Sequence, residues 1–190
     1  MQNFQTFGLS PILIQSLNKL NFKTPTLIQE KVIPIALNGK DILGSSQTGT
    51  GKTLAFGIPL LENLLNNKEH TALIITPTRE LANQVMQALK NILGQKSGIN
   101  TALLIGGESV FKQLMQLRKN PRLFVGTPGR INDHLSNKKL NLKNNKFLIL
   151  DETDRMLDMG FSIQIAKIVK YMPIKRQTLL FSATIPKSIM

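Results

Sequence analysis

The chain alternates short apolar runs with stretches in which apolar residues recur every three or four positions. The short runs are 41–45, 72–76, 101–105, 123–126, 147–150 and 178–181. Short runs that are nearly all apolar predict strands buried on both faces, as in parallel sheets. Between the runs, one helical face is predicted by the spacing of Leu81, Val85, Met86, Leu89 and Leu93. The alternation predicts an α/β fold with a mostly parallel central sheet and helices on both faces.

Glycines, hydroxyl residues and charged residues follow each of the six apolar runs. In chain order these endings are SQTGTGKT (46–53), PTRELANQ (77–84), Gly106-Gly107, TPGR (127–130), DETD (151–154) and SAT (182–184). Open α/β sheets bind their ligands at the carboxyl ends of the strands. The sequence therefore predicts that one edge of the sheet is the active face.

The segment 46–53 lies between a predicted strand and a predicted helix. Gly49 and Gly51 let the chain curl so that backbone N–H groups face phosphate oxygens. Lys52 would then reach the β- and γ-phosphates of a nucleotide, and Thr53 would ligate magnesium. Ser46 stands where the general phosphate-loop motif has glycine, and a chance glycine-rich turn is the alternative explanation.

Two adjacent acids, Asp151 and Glu152, follow the fifth apolar run, where a magnesium-supporting aspartate is expected. Glu152 would accept the proton of an attacking water if it points toward the γ-phosphate. A simpler explanation is an acidic helix N-terminus, which is favourable without any catalysis. The position opposite the phosphate loop favours nucleotide hydrolysis, and the absence of an Asn-Lys-x-Asp element argues against a GTPase.

The segment NFKTPTLIQ (21–29) has residues suited to holding a base. Phe22 would stack on a purine, and the Gln29 amide would pair with adenine N6 and N7, as glutamine does when it reads adenine in DNA. The alternative is that Phe22 belongs to the hydrophobic core. His70 and His134 stand alone among polar residues and are expected on the surface without a role.

Composition adds a possible partner and a compartment. The 190 residues fit one domain, and 24 Lys and Arg against 11 Asp and Glu give a formal charge of +13, which favours a polyanion such as nucleic acid. A membrane surface, or a Lys- and Asn-rich bias without any partner, would explain the same charge. No cysteine is present, so disulfides are excluded, and residues 1–18 lack the basic start and apolar core of a signal peptide. A cytoplasmic location without membrane association is predicted.

Taken together, these segments resemble the first, RecA-like domain of DEAD-box RNA helicases over nearly the whole chain. Phe4 matches an isolated upstream aromatic, 21–29 resembles the Q motif, 46–53 motif I and 77–84 motif Ia. Gly106-Gly107, TPGR, DETD and SAT follow in the family's order as the GG element and motifs Ib, II and III. The resemblance implies a RecA-like P-loop domain that uses ATP and Mg²⁺ and binds the RNA backbone without reading its sequence.

The resemblance also implies a role for each matching residue. Asp151, Glu152 and Lys52 are implied as catalytic, and Thr53 and, through water, Asp151 as magnesium ligands. Nucleotide contact is implied for Phe22, Thr24, Gln29, Ser46, Gln47, Thr48, Gly49, Thr50, Gly51, Lys52 and Thr53. RNA contact is implied for Pro77, Thr78, Arg79, Gly106, Gly107, Thr127, Pro128, Gly129 and Arg130. Asp154, Ser182 and Thr184 are implied to join DETD to SAT and to transmit the nucleotide state toward the RNA.

Three residues depart from the family pattern: Asn21 replaces glycine, Ser46 replaces alanine, and Thr153 replaces the alanine of motif II. Residues 1–190 are expected to be one N-terminal domain that includes the Q motif (4–29), and the family's second RecA-like domain is expected in a longer protein. Without that domain, the chain is expected to be nearly inactive. Two alternatives stay open, a non-catalytic nucleotide-gated RNA-binding module and a DNA helicase of the same superfamily.

Overall fold

A six-stranded parallel sheet forms the centre of the computed structural model, which describes residues 3–45, 47, 49–94 and 97–184. The strands are β1 (Ile42–Ser45), β2 (Thr71–Ile75), β3 (Thr101–Leu104), β4 (Leu123–Gly126), β5 (Asn145–Leu150) and β6 (Gln177–Ser182). Each of the six predicted runs is a strand whose ends lie within two residues of the prediction. The predicted α/β fold is confirmed.

Helices connect the strands. They are α1 (Pro11–Lys19), α2 (Leu27–Leu37), α3 (Lys52–Asn66), α4 (Arg79–Leu93), α5 (Val110–Leu117), α6 (Pro128–Ser136), α7 (Thr153–Asp158) and α8 (Ser162–Val169), preceded by a short 3-10 helix, Phe4–Phe7. Proline begins both α1 and α6, where its missing N–H leaves no bond unmade. Among the helices described, none is long and apolar enough to cross a membrane.

Two hydrophobic clusters cover the two faces of the sheet. In β2, Ala72 and Ile74 belong to the cluster under α1 to α4, whereas Leu73 and Ile75 belong to the cluster under α6 and α8. All four side chains are 0% exposed, which explains why this strand is apolar throughout. Burial of both faces in this way confirms the predicted helices on either side of the sheet.

The strand order β1-β6-β5-β2-β4-β3 sorts the polar segments along the carboxyl edge. The segments after β1, β6 and β5, which hold the phosphate loop, SAT and DETD, are direct neighbours; we call them the β1 half of the edge. The segments after β2, β4 and β3, which hold PTRELANQ, TPGR and the glycine pair, form the β3 half. Because β5 pairs with β2, the two halves meet at one seam.

His134 corrects the expectation of a surface histidine. Its ring is 3% exposed, and Nε2 lies 2.9 Å from Oε1 of Gln113. Because the Gln113 amide nitrogen donates to the carbonyl oxygen of Ile105 at 2.8 Å, the amide oxygen must accept, and the ring therefore donates from Nε2. Burial and, to a lesser degree, the charge of Arg130 lower the pKa of His134. Polar neighbours in sequence did not indicate this burial because they lie on other faces of α6.

Candidate active site

The phosphate loop, between β1 and α3, contains two glycines with a left-handed backbone. Gly49 and Gly51 have φ of 82° and 92°, a conformation that costs residues with a Cβ about 1–2 kcal/mol. Gly51 caps α3, so Lys52 and Thr53 lie in its first turn, and a helix N-terminus favours an anion. Gln47 is exposed, and its carbonyl oxygen accepts a hydrogen bond from Thr50 Oγ1 at 2.8 Å. The predicted contacts of Ser46 and Thr48 lie outside the described residues.

Gln29 ties the start of α2 to the phosphate loop. Its Oε1 accepts from the N–H of Thr26 at 2.9 Å, and its Nε2 donates to the Gly51 carbonyl at 3.1 Å. Thr26 adds a second link, because its hydroxyl donates to the Thr50 carbonyl at 2.9 Å. The Gln29 amide keeps one further N–H and one further lone pair that could pair with adenine. The adenine contact of Gln29 therefore stays a prediction. Sequence reasoning missed Thr26, although Thr-x-x-Gln before an apolar run is a capping-box signal.

Phe22 and Thr24 lie on the surface before α2. The Phe22 ring is 38% exposed, so the alternative that placed it in the core is wrong. Its backbone N–H donates to the Leu17 carbonyl at 2.9 Å, which fixes the chain at the end of α1. Thr24 is exposed. An exposed ring of this kind has a face on which a base can stack.

Asp151 is a buried carboxyl group at the end of β5, 3% exposed. Burial raises its pKa to about 6, and the positive charge of Lys52 partly opposes that shift. Its Oδ1 accepts from the N–H of Glu152 at 3.0 Å. Within the part of the chain that the structure describes, no cluster of three or more metal-binding side chains is present. One carboxylate beside a phosphate loop fits Mg²⁺, which keeps several waters and takes phosphate oxygens as ligands.

Glu152 has an unusual backbone conformation for a non-glycine residue, with φ 54° and ψ 53°. Such left-handed residues concentrate at functional sites because the surrounding structure must hold them there. The carboxylate is also held, since Arg155 Nη1 donates to its Oε2 at 3.2 Å. The backbone and the side chain of the predicted catalytic base are therefore both held by neighbouring contacts.

DETD and SAT are joined through Asp154. Its Oδ2 accepts from the N–H of Ala183 at 3.1 Å and from the N–H and hydroxyl of Thr184 at 2.9 and 3.0 Å. Ser182 Oγ accepts from the backbone N–H of Asp154 at 3.3 Å and donates to the Thr184 carbonyl. Burial works to raise the pKa of Asp154, but the hydrogen bonds outweigh it and lower that pKa. The Thr184 side chain therefore bonds to the Asp154 carboxylate, whereas the Ser182 side chain bonds to backbone groups.

Thr153, the residue that departs from the family pattern, adds a contact that sequence reasoning missed. Its hydroxyl lies 3.1 Å from the Phe181 carbonyl and 3.3 Å from the Leu150 carbonyl, and the residue is 5% exposed. The register of β5 with β6 ends at Leu150 and Leu180. The hydroxyl therefore extends the contact between the two strand ends by one residue.

The β3 half of the edge forms an open basin. Its walls are Pro77, Thr78, Arg79, Glu80, Gly106, Thr127, Gly129, Arg130, Asp133, Met159, Phe161 and Gln164. Three predicted RNA segments therefore meet at one place. The wall contributed by Met159, Phe161 and Gln164 was missed, because these residues follow DETD without a recognisable motif.

Arg79 explains the glycine pair. A Cβ at Gly106 would come within 3.1 Å of the Arg79 guanidinium, and one at Gly107 would overlap it. Gly107 also has φ of 76°. The guanidinium thus lies close against a backbone that has no side chains, and Arg79 as a whole is exposed.

TPGR is fixed at the start of α6. The N–H of Thr127 donates to the Leu104 carbonyl at 3.0 Å, and buried Pro128 is the first helical residue. Arg130 Nε lies 3.6 Å from Asp133 Oδ2, so the cation is partly neutralised. Thr78 uses its hydroxyl to cap α4, accepting from Leu81 N–H at 3.2 Å. Pro77 beside it is buried.

Backbone hydrogen bonds continue the sheet beyond the strand ends. Asp151 N–H donates to the Ile75 carbonyl at 3.1 Å, and Thr76 N–H donates to the Gly126 carbonyl at 3.0 Å. Together with the bond from Thr127 to Leu104, these hydrogen bonds form a row of rungs. The row runs from DETD across the seam to the end of β3, just before the glycine pair. The two halves of the edge are therefore joined by a row of backbone hydrogen bonds.

Comparisons with known proteins agree with this geometry. The family model described as DEAD/DEAH box helicase matches residues 26–190. The ATP-dependent RNA helicase CshA of Listeria monocytogenes is 46% identical over all 190 residues, and the DEAD-box ATP-dependent RNA helicase RhpA of Helicobacter pylori is 45% identical over 187 residues. The chain covers 36% and 38% of these two relatives. A crystal structure of a DEAD box protein from the hyperthermophile Methanococcus jannaschii superimposes over 100% of this chain and 52% of its own, with TM-score 0.91 and 43% identity.

Proposed function

Because this chain belongs to the DEAD/DEAH box helicase family, we propose that it is the ATP-binding half of an ATP-dependent RNA helicase. The observation that supports this most strongly is the strand order. It makes neighbours of the phosphate loop, SAT and DETD in the β1 half of the edge, and it places the basin directly beside them across the seam. One sheet edge thus offers ATP and RNA adjoining surfaces.

ATP would lie with its phosphates over the start of α3. Lys52 would contact the β- and γ-phosphates, and Thr53 would ligate Mg²⁺, with Asp151 holding the ion through water. When bound, Mg²⁺ would offset the negative charge of the phosphates. Glu152 would accept the proton of the attacking water, and its ion pair with Arg155 orients that carboxylate.

Adenine would lie beyond the phosphate loop, against the Q-motif residues. Phe22 would stack on the base, Thr24 would lie beside it, and Gln29 would pair with N6 and N7 through its second N–H and second lone pair. Because the same amide bonds the Gly51 carbonyl, a change at the base would also reach the phosphate loop. Adenine selectivity and phosphate binding are therefore linked in this proposal.

RNA would lie across the basin, with its phosphates on Arg79 and Arg130 and its backbone close to Gly106, Gly107 and the TPGR segment. Contacts of this kind position a strand without reading its sequence. By resemblance to the family, α6 would act as the wedge that bends one RNA strand. Asp154, Ser182 and Thr184 would transmit the nucleotide state, because a shift of DETD displaces SAT directly.

The chain spans less than two fifths of the length of the relatives above. We place the rest of the catalytic machinery in a second RecA-like domain of a longer protein, which would complete the far side of the γ-phosphate. An arginine supplied from another domain contributes roughly 10³ to 10⁵ in rate to phosphoryl transfer. The isolated chain would therefore bind ATP with little RNA-stimulated turnover.

Glu152→Gln tests the proposal in a protein that carries this chain together with its natural second domain. Removal of the general base should lower RNA-stimulated phosphate release by about 10²-fold or more while ATP stays bound. Asp158→Asn, at the exposed end of the same helix, is the matched control and should leave turnover unchanged. Undiminished turnover in Glu152→Gln would refute the catalytic assignment. No turnover even in the wild-type protein would instead favour the non-catalytic RNA-binding module.

A further inference from the structure

The loops at the amino ends of the strands hold most of the net positive charge of the chain. Because the strands are parallel, every loop that leads from a helix into a strand lies at this edge, opposite the active face. Within the described residues these loops contain eleven cations, Lys40, Lys68, Arg118, Lys119, Arg122, Lys138, Lys139, Lys143, Lys170, Lys175 and Arg176. Two acids, Asp41 and Glu69, oppose them, so this edge carries +9 of the formal +13.

The active edge is neutral. Its described loops and first helical turns contain five cations and five acids, a formal charge of 0; they are Lys52, Arg79, Lys112, Arg130, Arg155, Glu80, Glu108, Asp151, Glu152 and Asp154. The helicase site therefore does not account for the basic character of the chain. A different surface must explain it.

Two grooves at the amino edge are continuous with each other. One is lined by Lys68, Glu69, Arg122, Lys139 and Asn144 among others, and the second by Lys138, Lys143, Lys170 and Tyr171 among others. They share Leu140 and Asn141, which lie in the loop before β5. We call the combined surface the amino-edge groove. It follows the neighbouring loops before β6, β5, β2 and β4.

The fold itself uses little of this charge. Arg122 has a structural role, because its guanidinium donates to the carbonyl oxygens of Leu64, Asn67 and His70. The lysines at 138, 139, 143 and 170 are exposed instead. Like charges gathered on one surface repel one another, and a bound polyanion removes that repulsion.

The groove suits a nucleic acid strand better than an acidic peptide. Its floor residues Leu140, Leu142 and Met172 are at most 7% exposed, so they offer little apolar surface for peptide side chains. Lysine and asparagine side chains donate hydrogen bonds to phosphate and sugar oxygens. Tyr171, half exposed at 50%, adds an aromatic face on which a base can stack.

We propose that the amino-edge groove is a second RNA-binding surface, which holds the backbone of an RNA already engaged at the active edge. The inference rests on the proposed function for its choice of RNA as the polyanion. A domain of this size is about 40 Å across, so a short RNA reaches one edge and a long RNA reaches both. Attachment at two places raises the affinity for long RNA through effective concentration.

The test compares two charge-matched triple variants of this chain. Lys138, Lys143 and Lys170 are replaced by glutamine in the groove variant, and Lys19, Lys90 and Lys112, which line neither groove, are replaced in the control. Affinity is measured by fluorescence anisotropy for a hexanucleotide and for a single strand of about forty nucleotides of unrelated sequences, over a series of salt concentrations.

The groove variant should lose at least about fivefold affinity for the long RNA, with a salt slope shallower by about 2, since each phosphate contact to a single strand contributes about 0.7. Its affinity for the hexanucleotide should match that of the control. Equal affinity of both variants for the long RNA would overturn the second surface while leaving the helicase site intact. Wild-type chain that binds neither RNA would overturn both proposals. If the three groove substitutions released bound polyglutamate but left RNA affinity unchanged, the groove would be a site for an acidic protein. That result would overturn the proposal of a second RNA-binding surface.

Discussion

The Thr153 hydroxyl gives the most direct test of the structure, because it is a single atom that joins two strand ends. Thr153→Val keeps the branched shape and removes the hydroxyl that faces the Phe181 carbonyl at 3.1 Å. A buried polar group left without its partner costs about 1–3 kcal/mol. Thr153→Ser keeps the hydroxyl and removes one methyl group, which costs about 1 kcal/mol. The valine variant should therefore be the less stable of the two.

Urea unfolding followed by far-UV circular dichroism measures this difference as a free energy of unfolding. The slope against urea concentration should stay the same in all variants, because the exposed surface on unfolding does not change. In a thermal melt a loss of about 2 kcal/mol corresponds to a fall of roughly 4–8 °C for a domain of this size. ATP affinity should stay nearly unchanged in Thr153→Ala, since this side chain contacts strand ends and is not expected to contact phosphate.

Two results would refute this reasoning. If Thr153→Val were as stable as wild type, the hydroxyl would not be a needed partner of Phe181. If Thr153→Ser were as unstable as Thr153→Val, the methyl group would be the important part. A large loss of ATP binding in Thr153→Ala would show that the residue contacts the nucleotide.

Three further predictions use other contacts. Gly107→Ala should displace Arg79 and weaken RNA binding as much as Arg79→Ala does, while the left-handed φ costs about 1–2 kcal/mol of stability. In a double-mutant cycle by anisotropy the two losses should not add, and full additivity would exclude the contact. Gln29→Ala should remove about 1–3 kcal/mol of the discrimination between ATP and GTP. It should also lower the affinity for both nucleotides, because the Gly51 carbonyl loses its hydrogen bond to the Gln29 amide. An unchanged ratio of ATP to GTP affinity in calorimetry would disprove the adenine contact. Because burial lowers the pKa of His134, the unfolded chain takes up its proton first, so the free energy of unfolding should fall as pH drops below about 6.5. His134→Gln should show a smaller fall, and an equal fall in urea titrations would assign the effect to other groups.

The sequence predicted the central strands β2, β4 and β5 well because they are almost entirely apolar, a pattern produced by burial on both faces. It could not predict the strand order, since nothing in one strand specifies its neighbour. The grouping of 46–53, 151–154 and 182–184 was therefore visible only through the family resemblance. The structure supplies the physical basis, which is the order β1-β6-β5.

Side-chain partners were predicted less well than positions. Gln29 was expected to pair with adenine, yet its amide also holds the Gly51 carbonyl, which lies 22 residues further along the chain. His134 was expected on the surface and is buried against Gln113. The missed contact of Gln29 with Gly51 and the wrong placement of His134 have one cause, because hydrogen bonds between distant segments leave no periodic signal in a sequence. Thr26 is the exception, since its capping box is local.

The rungs of backbone hydrogen bonds beyond the strand ends have a mechanical consequence. A peptide hydrogen bond tolerates little stretching, and the rungs at Asp151, Thr76 and Thr127 tie DETD to the floor of the basin in sequence. We therefore expect DETD and the segments that line the basin to move together. In the proposed helicase, we therefore expect ATP binding to move the whole domain relative to a second domain, and an RNA would be strained where the two domains meet.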